Sequence, residues 1–169
     1  MDTYLAVVSK RDWRSYADRP VPEDVQRRIL DGGRLSGSSQ NVQPWTFVVV
    51  ESPEAKTRVA ETVFVGDNIT TSAFAVAIAT EGGKYPFDVG RAMQNMMLVA
   101  WNEGVASCPN GMPNPAVAAQ ALGLDEGLLP VNVPSFGYPK RALDLESKSP
   151  EEWSAEANRK PLDEVVRRT

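Results

Sequence analysis

The chain contains no histidine and only one cysteine, Cys108, among 169 residues. Without histidine, Ser-His-Asp and Cys-His catalysis are excluded, along with nearly every zinc or transition-metal site. A single thiol excludes an intrachain disulfide and a C-x-x-C redox pair. Basic charge is also in deficit: 18 Lys and Arg against 22 Asp and Glu leave a net charge of −4, which argues against a nucleic-acid partner. No apolar run reaches the length of a membrane span. The opening MDTYLAVVSKRDW has an acid at Asp2 and too short an apolar stretch for a secretory signal, so a cytoplasmic protein is expected. A chain with no histidine and one thiol that still does chemistry is expected to borrow it from an organic cofactor.

What is present reads as one globular domain over residues 1–169. The 42% hydrophobic and 24% charged fractions are those of an ordinary globule, and the 13 prolines and 12 glycines are scattered. The most informative stretch is GSSQNVQPWTFVVVE, Gly37 to Glu51. A loop of small donors and acceptors there runs directly into Thr46-Phe47-Val48-Val49-Val50, a β-branched and aromatic run that reads as a buried strand. Loops at the mouths of central strands are where α/β folds place ligand contacts. On composition alone, Ser38 and Ser39 serve equally well as turn and cap residues.

Helices are expected from Met1 to Ser9, from the Val21-Pro22-Glu23-Asp24 start with Gly32-Gly33 weakening its end, and after Ser52-Pro53-Glu54. Gly66 to Ser72 reads as a loop, and Ala73 to Thr80 as a second buried strand. Phe87 to Gly104 is the longest helix; it is apolar nearly all round, so it belongs in the core or at a dimer contact. Pro115 to Leu122 is a short helix, and Leu122 to Pro139 holds a third strand. The cations of KRDWRSY, Lys10 to Tyr16, suit either a solvated turn or a phosphate clamp built on Arg14 with Lys10 or Arg11. With no histidine beside it, Cys108 reads as a small buried hydrophobe.

Several segments together carry a resemblance. S-S-x-N-x-Q-P-W, from Ser38 to Trp45, resembles the flavin-contacting loop of the nitroreductase family of FMN-dependent oxidoreductases. Lys10, Asp12 and Arg14 align with that family's R-x-S-x-R phosphate pattern, with Asp12 departing from the common serine. Asp88 to Ala100 resembles its D-x-G-x-A-x-Q-N-x-x-L-x-A helix, Leu122 to Pro139 its L-G-L-P…G-Y-P stretch, and Asn158 to Val166 its R-K-P-L-x-E-V-V end. The resemblance implies an α+β nitroreductase-like fold with a mixed central β-sheet flanked by helices, assembled as an intertwined homodimer with FMN at the interface. It assigns FMN contacts to Lys10, Arg11, Asp12, Arg14, Ser38, Ser39 and Asn41, to the turn Pro109, Asn110 and Gly111 facing the flavin ring, and to Arg159 at the phosphate beside Lys160. Asp12, unable to donate to phosphate, would orient an arginine or meet the ribityl chain. The implied activity passes hydride from NAD(P)H through FMN to a small electron acceptor, a quinone or nitroaromatic, in a ping-pong cycle with no catalytic side chain. A flavin-consuming benzimidazole synthase and a non-catalytic flavin-binding protein are the alternatives. The short region after Thr80 implies an open substrate pocket, or one covered by the partner subunit.

Overall fold

The computed structural model describes residues 2–142, 144 and 147–169. The β-branched run and the Ala-rich run form the first two strands, β1 (Thr46–Val50) and β2 (Phe74–Glu81), paired antiparallel with Val48 opposite Ala77. β3 (Ala106–Cys108) follows the longest helix. The expected third strand is split into β4 (Leu128–Asn132) and β5 (Ser135–Gly137); β4 pairs with Ile78 to Glu81 of β2, with a register shift at Ile78/Ala79, and β5 pairs with Phe74 and Ala75. The sheet order is β1-β2-β5-β3, with β4 beside β2, and all these ladders are antiparallel. The sheet, expected to be mixed, is antiparallel, and among the described residues parallel pairing is confined to an isolated bridge between Asp12 and Ser107.

Alternation along β2 divides the core into two layers. Phe74, Val76 and Ile78 point to one side, where they meet Val25 and Ile29 of α2 (Glu23–Arg34) and Val89, Met96 and Met97 of α5 (Pro86–Asn102). Ala75 and Ala77 point to the other, against Val59 of α3 (Pro53–Ala60) and Ile69 of α4 (Asp67–Thr70). Helices therefore cover both faces of the sheet, as the α+β expectation requires. Beyond α1 (Thr3–Ser9), two more helices, α6 (Pro115–Leu122) and α7 (Pro150–Glu156), precede a last turn, α8 (Leu162–Val165).

One loop expectation is corrected. Gly66 to Ser72 is not all loop, because α4 forms within it and buries Ile69 and Asn68. Gly32 and Gly33 lie in the last turn of α2 and have a second role that the sequence does not signal: they let α2 approach α5, since a Cβ on Gly33 would lie 2.2 Å from Met96 Cε and one on Gly32 2.7 Å from Val99 Cγ2. The all-round apolar α5 is central on one flank and partly open on the other, with Phe87 and Arg91 exposed. No helix among the described residues is long and apolar enough to cross a membrane.

Candidate functional site

The segment after α1 runs alongside β3. Trp13 N–H donates to the Ser107 carbonyl at 2.9 Å, and this fixes which way each of the neighbouring charged side chains faces. Lys10 is buried at its side chain and ion-paired with Asp12. Asp12 thus orients a lysine rather than an arginine. Arg11 turns the other way, donating to the carbonyls of Val8 (2.6 Å), Lys10 (3.0 Å) and Trp153 (2.7 Å), with its guanidinium over the Trp153 ring. It ties α7 to α1 and does not join Lys10 and Asp12. Arg14 is exposed; its guanidinium meets the Cys108 thiol, which raises the arginine's pKa, with Asp12 adding a smaller push in the same direction.

Beneath Arg14, the turn Pro109-Asn110-Gly111 is held by a buried polar network. The Asn110 amide donates to the carbonyls of Cys108 (3.1 Å) and Val133 (2.8 Å) and to Ser135 Oγ (3.2 Å), and its Oδ1 accepts from Asn68 Nδ2 at 2.8 Å. Its main-chain N–H donates to Asn132 Oδ1 at 3.0 Å. The Tyr16 hydroxyl joins at Ser135 Oγ (2.9 Å). Burial pushes the Tyr16 phenol well above its usual value, and burial likewise raises the Cys108 thiol, against the pull of Arg14. Of the three turn residues, proline has no N–H and that of Asn110 is used. The Gly111 N–H is the one free of a protein partner among the described residues, while its carbonyl accepts from Phe64 N–H at 3.0 Å. Asn68, Asn132, Ser135 and Tyr16 were not singled out from the sequence. Their roles come from chain crossings that no local pattern signals.

The second group lies at the start of α5. Ser38 Oγ accepts from Gln43 N–H at 2.8 Å, and Ser39 N–H donates to the buried Asp88 carboxylate at 3.3 Å. Arg91 stands beside Asp88 at 3.8 Å and against Gly37. Gln40, Asn41 and Gln43 all have φ near +50°, a conformation that L-residues rarely hold without a constraint and that concentrates at ligand clamps. Asn41 and Ser39 are exposed.

The structure keeps these two groups apart. Ser9, next to Lys10, accepts a hydrogen bond from Trp101 Nε1 near the end of α5, whereas Ser39 is bonded to Asp88 at its beginning. Thirteen residues of helix separate these anchors, or about 20 Å along the axis. Arg159 is exposed and donates to the Ala157 carbonyl, close to neither anchor by any hydrogen bond among the described residues. A cavity of about 930 Å³ lies between α2 and β1 over Trp45 and Phe47 and includes none of the expected site residues. Among the described residues no cluster of acidic and thiol side chains is arranged to hold a metal ion.

A flavin nucleotide needs a cation for its phosphate and polar main-chain groups for its ring edge. The available chemistry fits: Arg14 is solvent-facing with no carboxylate ion-paired to it among the described residues, the Gly111 amide is unused, and the 38–43 loop presents exposed polar groups on a strained backbone.

A sequence model of the nitroreductase family matches residues 7–75 and 84–138, segments that carry both groups. The chain belongs to the nitroreductase family. A protein of Archaeoglobus fulgidus, provisionally named an NADH dehydrogenase/NAD(P)H nitroreductase, is 28% identical over 150 residues, covering 82% of this chain and 86% of that one. Among solved structures, a nitroreductase family protein from Clostridium difficile 630 superposes with a TM-score of 0.83 at 24% identity, covering 99% and 98% of the two chains. A protein from Desulfovibrio desulfuricans solved in complex with FMN gives a TM-score of 0.82 at 23% identity, covering 100% and 98%. These likenesses establish the fold.

Proposed function

We propose that this chain is an FMN-dependent oxidoreductase that takes hydride from NAD(P)H and passes reducing equivalents to a small acceptor such as a quinone or nitroaromatic. The observation that carries this reading is the family match over the two segments that hold Arg14 with the 109–111 turn and the Ser38–Asn41 loop. The related fold solved with FMN supports the choice of cofactor.

Because the two groups sit about 20 Å apart along α5, each complete site would take one group from each of two chains. The exposed apolar side chains of the C-terminal turn, Leu162 at 73% and Val165 at 62%, suit a segment that a second copy covers. In such a homodimer Arg14 would face the phosphate, with Asp12 beside it and the Lys10 ammonium held by Asp12. Arg159 would reach that phosphate only in the assembled dimer. The Gly111 N–H would face the ring edge, and Ser38, Ser39 and Asn41 would serve the ring or ribityl chain from the other subunit. Asn110 would contribute by holding the turn rather than by touching the flavin, and Arg11 by holding α7.

Bound FMN supplies two-electron chemistry between a hydride donor and an acceptor. The chain's own part is orientation and charge. Solvent can deliver the protons, consistent with the absence of histidine. Steady-state rates with NADH or NADPH and menadione, plotted as double reciprocals at several acceptor concentrations, should give the parallel lines of a ping-pong cycle. Intersecting lines would contradict it. Replacing Arg14 by Ala should raise the FMN dissociation constant by about tenfold or more through loss of a charge-assisted contact. Undiminished FMN occupancy in the purified variant would remove Arg14 from the phosphate site.

A further inference from the structure

The three cations between Lys10 and Arg14 are not equivalent. Arg11 is spent on main-chain carbonyls and the Trp153 ring, so it offers nothing to a ligand beside Arg14. Lys10 has a buried side chain, 7% exposed, and its ammonium is held by Asp12, whose carboxylate is 47% exposed. Arg14 alone is solvent-facing, and Asp12 is close enough to act on its charge. Two cations and one acid leave this cluster with a net charge of one. An FMN phosphate carries close to two negative charges at neutral pH, and it would meet an exposed carboxylate where an uncharged donor would assist it. A carboxylate at Asp12 would act in two ways: it would repel the dianion, and it holds the Lys10 ammonium that could otherwise pair with it.

We propose that Asp12 is a specificity-determining residue that weakens the hold on the flavin's phosphate, so that this chain distinguishes FMN from riboflavin only modestly and exchanges its flavin readily. The inference rests on the FMN reading above, and its test separates the two. Flavin-free full-length protein is titrated with FMN and with riboflavin, following flavin fluorescence, for the wild type and for Asp12→Asn, which keeps the side-chain shape. Thermal melts of both proteins establish that the variant is folded. The expected result is an FMN dissociation constant lowered by about tenfold or more, with riboflavin affinity unchanged. The gain should shrink at high salt, where exposed charges are screened. Adding Lys10→Met to Asp12→Asn should abolish much of it, because the freed ammonium supplies part of the new contact. Equal changes for FMN and riboflavin, or weaker FMN binding in Asp12→Asn, would overturn the inference while leaving the FMN reading intact. Failure of wild type and variant alike to bind either flavin would overturn both.

Discussion

Replacing Asn110 by Ala separates a ligand contact from a structural one. The side chain makes four buried hydrogen bonds, three as donor and one as acceptor. Not all of its partners are stranded by its removal. The Cys108 carbonyl keeps a bond from Ser135 Oγ at 3.3 Å, and Ser135 Oγ keeps Tyr16. The Val133 carbonyl and the Asn68 amide lose their good partners, since Asn68 is left with only a 3.8 Å approach to the Cys108 sulfur. Two orphaned buried groups at roughly 1–3 kcal/mol each, plus the net worth of the bonds themselves, give a loss of roughly 3–5 kcal/mol. Against a total of about 5–15 kcal/mol for a domain of ordinary stability that is severe. At about 2–4 °C per kcal/mol for a chain of this size, the melting temperature should fall by roughly 6–20 °C. Urea unfolding followed by circular dichroism, with and without added FMN, measures it. A loss below about 1 kcal/mol accompanied by loss of flavin would refute the structural assignment and make Asn110 a direct ligand.

Arg11→Gln should leave FMN affinity unchanged but free α7, which limited proteolysis would detect as faster cleavage within residues 150–169. Gly137→Ala should cost about 1–3 kcal/mol by overpacking, because the new Cβ would lie 2.8 Å from the ring of a Tyr16 that its hydroxyl bond to Ser135 holds in place. A urea midpoint equal to wild type would show that the ring can retreat. The raised pKa values of Cys108 and Tyr16 set an alkaline limit: the folded chain keeps protons that the unfolded chain releases. This contribution to stability is complete below the ordinary thiol value of 9.0 and is lost as pH rises past it and past the ordinary phenol value of 10.0. Melting temperatures between pH 8 and 11 should therefore fall, and less steeply in Cys108→Ala.

Much of the fold could be read locally. The helix start at Ser52-Pro53, the short helix from Pro115 to Leu122 and the apolar run of β2 each depend on signals within a few residues, and the structure holds all three. The structure departs from the local pattern where a distant partner decides the outcome. α4 is a four-residue helix with weak intrinsic preference, formed because Ile69 and Asn68 are buried by other elements. Gly32 and Gly33 do fall in the last turn of α2, but their close approach to α5 has no local signal. The strand expected between Leu122 and Pro139 divides at Val133-Pro134, where the Val133 N–H donates to the distant Asn110 carbonyl and Pro134 has no N–H to give. In the candidate site, the sequence indicates which residues carry charge but not where each points. Lys10, Arg11 and Arg14 are adjacent in the chain and look interchangeable; one is paired, one is turned away, and one is open.

The visible absorption spectrum of the FMN-loaded protein, recorded anaerobically before and after NADH or NADPH, tests the proposed activity most directly. Bleaching of the flavin band on adding nucleotide, and its return on adding menadione, is the predicted result. A bound flavin that neither nucleotide bleaches would contradict a reductase on this site, and a protein that takes up no FMN would contradict the site itself.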